Sequence, residues 1–251
     1  MNKRIIIGIL PQTKLKTNDN PYDDKYEFLD LYAKKIIECG GIPIGILLKN
    51  GELDYNSLEI CDAFFLPGGS IVKKYYYETI MYAIKKNKPL LGVCLGMHGL
   101  GIFSDILENL DLNNSSEEDF FNIYKSLKEN NNGTLLKDLG KPNIHYKVIV
   151  TYDNINDDRH KVFIKDKNSI IYDIFKTDEL NVVSLHSHVL KWVGKQFKAT
   201  TYSLDNYIES IEYADKNFFI LGVQWHPEHD DDNLLFKRLI LEAQKRKDTN
   251  K

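Results

Sequence analysis

The sequence predicts an α/β fold: a parallel sheet covered by helices on both faces. Three observations carry this reading. Unbroken apolar runs rich in β-branched residues, such as Ile5-Ile6-Ile7-Gly8-Ile9-Leu10, suit strands buried on both faces. Such runs alternate with helical stretches through the first 110 residues. The 251 residues, 43% hydrophobic and 27% charged, are ample for a real core. That length suits one large domain or two small ones, and we read 1–251 as one domain with a polar insertion around 111–144.

The elements follow in order. After the first strand, Pro11 to Asp24 is polar and turn-rich, hence a loop. Leu29, Tyr32, Ala33, Ile36 and Ile37 recur at helical spacing and stop at Gly40-Gly41, a C-terminal cap signal. Ile42 to Leu48 is a second strand, Leu53 to Ile60 a short helix, and Ala63 to Leu66 a third strand ending at Pro67-Gly68-Gly69-Ser70. Tyr75 to Lys86 is helical. Pro89 to Val93 is the next strand, and Met97 to Leu110 reads as a helix.

Residues 111–144 differ. Asn113 to Asp119 and Glu129 to Gly133 are polar and of low complexity, with Phe120, Phe121, Tyr124 and Leu127 at helical spacing between them. A surface insertion with one amphipathic helix is the simpler reading, and a lid over a site is the alternative. The remainder is strand-rich: Tyr146 to Val150, Val162 to Ile164, Val182 to Leu185, Ala199 to Tyr202, Ile208 to Tyr213 and Phe218 to Val223. Several are short with turns between them, so antiparallel pairings attached to the main sheet are expected. The chain closes on a helix with Leu235, Phe236, Leu239, Ile240 and Ala243 on one face. Asp230-Asp231-Asp232 before it suits a helix N-terminus better than a metal.

Composition excludes several classes. A net charge of -3 gives no field for nucleic acid or an anionic membrane. Three cysteines without CxxC spacing argue for a reducing compartment and against disulfides or a thiolate zinc site. The apolar run after Met1-Asn2-Lys3-Arg4 is too short for a signal peptide, and no stretch reaches membrane-spanning length. The expected location is the cytoplasm.

The chemistry centres on Gly92-Val93-Cys94-Leu95-Gly96, a cysteine at a sharp strand-to-helix turn. Such an elbow exposes the thiol at the sheet edge and sets it at a helix N-terminus, which favours thiolate. It also frees the backbone N–H of Leu95 for an oxyanion, while glycines at 92 and 96 allow close helix–strand contact. Cys39 and Cys61 lack this frame and read as inert. A nucleophilic cysteine needs a base and the base an orienting group. His226 and Glu228, in Gly222-Val223-Gln224-Trp225-His226-Pro227-Glu228, are the candidates. The 67–70 turn ends a strand of the same sheet and offers a second oxyanion donor.

Together these motifs resemble the class I glutamine amidotransferase superfamily, and within it the gamma-glutamyl-gamma-aminobutyrate hydrolase group of cysteine hydrolases. The likeness also takes in Gly40-Gly41-Ile42-Pro43, Phe65-Leu66-Pro67-Gly68, His160-Lys161-Val162 and Val183-Ser184-Leu185-His186. It implies a flavodoxin-like sheet and a triad of Cys94, His226 and Glu228. The oxyanion would rest on the N–H groups of Leu95 and Gly68 or Gly69. Ser184, His186, His98 and His188 would fall at substrate-binding positions. The implied reaction is hydrolysis of a small gamma-glutamyl amide through a thioester, without metal or organic cofactor. Alternatives are a glutaminase subunit that feeds ammonia to a partner synthase, and a non-catalytic ligand-binding relative. A homodimer is compatible with all three.

Two positions depart from the family's pattern. His98 and His188 stand where the family usually has glutamine. A histidine there brings a titratable ring to the substrate's amino-acid end, or simply replaces amide hydrogen bonds. A metal site of His98, His188 and Cys94 is the remote third option.

Overall fold

The computed structural model describes residues 4–13, 26–49, 51–108, 136–146 and 154–249, with positions 110, 119, 122 and 151. The first half runs β1 (Ile6–Ile9), β2 (Gln12–Thr13), β3 (Tyr26–Glu27), α1 (Asp30–Glu38), β4 (Ile42–Gly45), β5 (Leu48–Lys49), β6 (Glu52–Leu53), α2 (Tyr55–Glu59), β7 (Ala63–Leu66), α3 (Lys74–Lys85), β8 (Leu90–Val93) and α4 (Leu95–Leu107). The second half runs β9 (Leu136–Asp138), β10 (Arg159–Ile164), α5 (Ile170–Phe175), β11 (Glu179–Val183), β12 (His188–Leu190), β13 (Phe197–Ser203), β14 (Ile208–Tyr213), β15 (Ile220–Val223) and α6 (Leu234–Thr249).

One large sheet organises the molecule, in the order β11-β10-β13-β14-β15-β8-β7-β1-β4, with β12 on β14 and β9 on β12. From β4 to β15 every neighbour is parallel. Beyond β15 the pairings are antiparallel. Strands β7, β8 and β15 are buried along their whole length, as the unbroken apolar runs require.

Alternation along each strand divides the core in two. Ala63, Phe65, Leu91 and Val93 pack with Tyr32 and Ile36 of α1 and with Leu235, Phe236 and Leu239 of α6. Phe64, Leu66 and Leu90 pack instead with Tyr76, Tyr77 and Ile80 of α3 and with Met97 and Leu100 of α4. Helices therefore cover both faces, because successive side chains of a strand point to opposite sides. Phe65 stacks on Phe236 at 5.7 Å between ring centroids and meets Tyr32 at 4.6 Å. Helix α1 stops where Gly40 turns at φ 86° and the Gly41 N–H reaches back to the Ile36 carbonyl at 2.9 Å.

The structure departs from the sequence reading at definite places. The strand read as Phe218 to Val223 joins the parallel set through β8 and turns the sheet antiparallel on its other side. Helix α4 begins at Leu95, directly after the cysteine, and ends at Leu107. The end of the polar insertion holds β9, which pairs with β12 through His188 and Asp138. Most of that insertion, with Phe120, Phe121, Tyr124 and Leu127, lies outside the described residues, as do 147–150 and most of the loop after β1. Asp232 accepts the Leu234 N–H at 3.0 Å at the start of α6, the capping role expected of the acidic run. Asp230 instead pairs with Arg159 at 2.8 Å. No helix among the described residues is long and apolar enough to cross a membrane.

Close packing of α4 on β7 and β8 rests on missing side chains. A methyl group at Gly92 would come within 2.8 Å of the Gly96 carbonyl carbon, and one at Gly96 would run into the Leu66 carbonyl oxygen. Because backbone cannot yield as a side-chain tip can, Gly96→Ala should cost about 1–3 kcal/mol of unfolding free energy. Urea denaturation followed by circular dichroism checks this. An unchanged midpoint would mean that α4 can retreat from the sheet freely.

Candidate active site

Strands β8 and β15 run side by side with Val93 opposite Val223, so Cys94 and Gln224 leave the sheet together. The Cys94 N–H donates to the Val223 carbonyl at 2.8 Å. Cys94 then takes φ 51° and ψ -105° at the head of α4. A side chain at positive φ costs roughly 1–3 kcal/mol, and buried strands hold it there. His226 follows two residues after Gln224, and its N–H is tied to the Val183 carbonyl of β11 at 2.9 Å. Pro227 begins a 3-10 turn that brings Glu228 back under the ring.

The result is a compact, mostly dry group. The His226 Nδ1–H donates to Glu228 Oε1 at 2.7 Å. Its Nε2 is buried with no hydrogen-bond partner among the described residues, and the nearby Cys94 thiol helps to raise the ring's pKa. Cys94 is 7% exposed and Glu228 3%. Gly68 marks how close the three parts come. A methyl group there would sit 3.2 Å from His226 Cε1, 3.4 Å from Cys94 Cβ and 3.3 Å from the Tyr32 hydroxyl.

Electrostatics follow from burial and neighbours. Burial works against a charged His226 ring, but the Glu228 carboxylate and the Cys94 thiol outweigh it and raise its pKa well above the ordinary value. For Glu228, burial works against the carboxylate, and the His226 ring outweighs it so that its pKa falls. Burial pushes the other two thiols up, Cys61 to about 11 and Cys39 by less, which keeps both protonated and inert.

Tyr32 is a site residue that the helical pattern disguised as core. Its hydroxyl accepts the Gly68 N–H at 3.3 Å and lies beside Glu228. Burial first, and then Glu228, raises the phenol's pKa well above 10. Gln12 donates to the Gly68 carbonyl, and Tyr76 donates to the Pro67 carbonyl at 3.3 Å. The 67–69 turn is thus held from three sides. With the Gly68 N–H engaged by Tyr32, the N–H of Gly69 is the one in this turn without a partner among the described residues.

The four expected substrate-binding residues separate. His98 is 4% exposed, and its Nε2 lies 2.7 Å from Gln224 Oε1. Burial lowers its pKa to about 4, so the ring is neutral at physiological pH. Ser184 is buried and donates to the His145 carbonyl at 3.0 Å. His186 turns into a buried group of histidines around Glu209. His188 alone of the four is exposed, against the Ser187 hydroxyl at 3.1 Å. The remote metal option of His98, His188 and Cys94 gains nothing, since His98 is spent on Gln224.

Residues 73–228, more than half of the chain, match the Peptidase C26 family. The chain belongs to that family. Membership in Peptidase C26 implies a hydrolase with a glutamine amidotransferase-like domain. The chain is 25% identical over 96% of its length to a glutamine amidotransferase-like protein of Rickettsia prowazekii, 98% of which is covered. It is 29% identical over 82% of its length to CTP synthase of Thermosipho africanus, of which it covers 41%. Among solved structures it shares its fold with the CTPS glutaminase domain of Trypanosoma brucei determined with acivicin bound (TM-score 0.66, 18% identity, 96% and 94% of the two chains). A glutamine amidotransferase of Thermotoga maritima shares it too (TM-score 0.55, 16% identity, 99% and 93%).

The His226–Glu228 pair makes a checkable statement about this C26 site. Because the folded-state pKa of His226 is raised, its pairing stabilises the fold at pH below about 6.5 and above, and is lost as pH climbs through the raised value. Glu228→Gln removes the largest favourable influence on the charged ring. The His226 titration midpoint, followed by NMR, should fall towards the ordinary histidine value. An unmoved midpoint would mean that Glu228 does not set the charge of the ring.

Proposed function

We propose that the protein is a cysteine hydrolase that cleaves the gamma-glutamyl amide bond of a small molecule through a thioester on Cys94. Its nearest functional type in this reading is the gamma-glutamyl-gamma-aminobutyrate hydrolase group. The observation that carries it is the convergence of Cys94, at a positive-φ elbow, with the His226–Glu228 pair around Gly68.

The steps follow from the geometry. The Cys94 thiolate, at the N-terminus of α4, attacks the side-chain amide carbonyl. The N–H groups of Leu95 and Gly69 receive the oxyanion, Gly68 serving the turn itself through Tyr32. The His226 imidazolium protonates the leaving amine, which departs and leaves the gamma-glutamyl thioester. Neutral His226 then takes a proton from water, whose oxygen attacks the thioester, and Cys94 leaves as thiolate with glutamate released. Glu228 orients the ring and favours its charged form. The reaction needs no cofactor. His188, the exposed member of the four, would touch the substrate in this reading. His98, Ser184 and His186 are buried and engaged with other groups, and would act as positioning residues.

A glutaminase role alongside a synthase is favoured by one observation, the likeness to CTP synthase over 82% of this chain. Stand-alone hydrolysis rests on the convergence of Cys94 with the His226–Glu228 pair within this one chain. Rates with glutamine against rates with gamma-glutamyl amines separate the two.

Intact-protein mass spectrometry after exposure to 6-diazo-5-oxo-norleucine, a gamma-glutamyl electrophile, tests the proposal. Wild type should gain one adduct and Cys94→Ala none. Glu228→Gln should react through the same cysteine with turnover reduced by about 10²–10⁴-fold. A wild-type chain that takes a generic alkylator on Cys94 but not the glutamyl reagent would overturn glutamyl recognition.

A further inference from the structure

A second cluster of chemically capable side chains lies outside the candidate active site. His145 follows the insertion, His160 sits on β10, His186 precedes β12 and Glu209 sits on β14. His145 and Glu209 are fully buried, and His186 is 3% exposed. Their nearest atoms converge. His145 Nδ1 lies 3.2 Å from His160 Nε2 and 3.3 Å from Glu209 Oε1. His160 Nε2 and His186 Nε2 each lie 3.5 Å from the same oxygen. All four donor atoms fall within 4.8 Å of one another.

These separations have a chemical meaning. A tetrahedral zinc ion with bonds of about 2.0–2.1 Å holds its ligand atoms roughly 3.3–3.4 Å apart. The other face of each ring is also engaged. His145 Nε2 meets the Asp205 carboxylate at 3.2 and 3.3 Å. His160 Nδ1 donates to the Lys161 carbonyl at 3.1 Å, and His186 Nδ1 to the His188 carbonyl at 3.1 Å. A carboxylate or carbonyl on the outer nitrogen fixes the proton there and leaves the inner nitrogen as a lone pair, as in metal-bound histidines generally. Three inward lone pairs around a buried carboxylate repel one another unless a metal ion or shared protons stand between them, and the 3.2 Å contact of His145 Nδ1 with His160 Nε2 can hold one such proton. Accordingly both Glu209 oxygens and His186 Nε2 are buried without a hydrogen-bond partner among the described residues.

We propose that His145, His160, His186 and Glu209 bind one divalent transition-metal ion of the zinc type in a closed, structural site. This departs from the metal-free chain expected of the sequence. Three histidines and a carboxylate suit zinc among common metals, and four protein ligands leave no position for a substrate. The ligands come from four separate segments, so the ion staples β10, β14 and the two connections that carry His145 and His186. Through the His188 carbonyl it also fixes the loop that carries His188.

Elemental analysis of the full chain, purified without a metal-affinity tag and incubated with zinc chloride before desalting, tests this. About one zinc per chain is expected. Dialysis against a chelator should lower the melting temperature and zinc chloride should restore it. Cobalt substitution should give the visible absorption of a four-coordinate ion. Cys94→Ala should keep the metal, which separates this site from the thiol, and Glu209→Gln should lose it. Asp205→Asn, outside the ligand set, should weaken zinc affinity about 10–100-fold. Should Glu209→Gln fail to fold, wild type and Asp205→Asn decide the matter. A wild-type chain that holds no zinc, and whose melting temperature zinc chloride leaves unchanged, overturns the site and makes the cluster a set of shared protons. Zinc that disappears in Cys94→Ala overturns it equally.

Discussion

The parallel pairing of β8 with β15 is the constraint on which the rest depends. Its register sets Val93 opposite Val223, and the next residue of each strand leaves the sheet at the same edge. The nucleophile candidate lies 132 residues before its base candidate in sequence, yet one hydrogen bond from Cys94 to the Val223 carbonyl joins their strands. A one-residue slip of β15 would invert its side chains and send Val223 to the wrong core. Because β8 and β15 are buried on both faces, the hydrophobic effect holds that register far more firmly than any polar contact at the site could.

Rigidity then passes from the sheet to the chemistry. Cys94 keeps a strained backbone because α4 cannot move away without breaking its contact with Leu66 across Gly96. The 67–69 turn keeps its place because Tyr32, Tyr76 and Gln12 each hold a backbone group of it. Tyr32 links the two, since its hydroxyl meets both Gly68 and the Glu228 carboxylate. Donors fixed in this way need no reorganisation when charge develops, which is how preorganised sites lower a barrier. The low exposure of Cys94 and Glu228 strengthens each electrostatic interaction further, because little water remains to screen it.

Legibility in the sequence followed the physics of each part. The parallel strands were visible because double burial demands continuous apolar runs, and Ile5 to Leu10 and Ala63 to Leu66 have no other good use. The elbow was visible because few backbones demand glycine on both sides of a cysteine. Tyr32 was hidden because a tyrosine at helical spacing looks like core, and its packing is core; only its hydroxyl belongs to the site. Gln224 was hidden behind His98, whose partner no spacing rule supplies. Strands β9 and β12 are three residues each, too short to carry a period. Glu209 sits in Ile208-Glu209-Ser210-Ile211-Glu212-Tyr213, where alternation suggests a solvent-facing carboxylate. Instead both faces of β14 are covered and the carboxylate is fully buried.

The burial of Glu209 points to a difference between the two halves of the sheet. The parallel half is sealed by aliphatic and aromatic side chains. The antiparallel half carries a polar interior: Thr200 and Thr201 share the Ser210 hydroxyl at 2.7 and 2.9 Å, and Glu212 takes Lys198 at 2.9 Å and the Ile170 N–H at 2.6 Å. Each of these groups is costly to bury alone and cheap only when matched, so together they select one arrangement of strands more strongly than they stabilise it. Within the histidine–Glu209 cluster, both Glu209 oxygens and His186 Nε2 are buried without a hydrogen-bond partner among the described residues. A cation there would complete the layer at the point where the loop bearing His188 meets the sheet, and so would tie that loop to the same frame that holds Cys94.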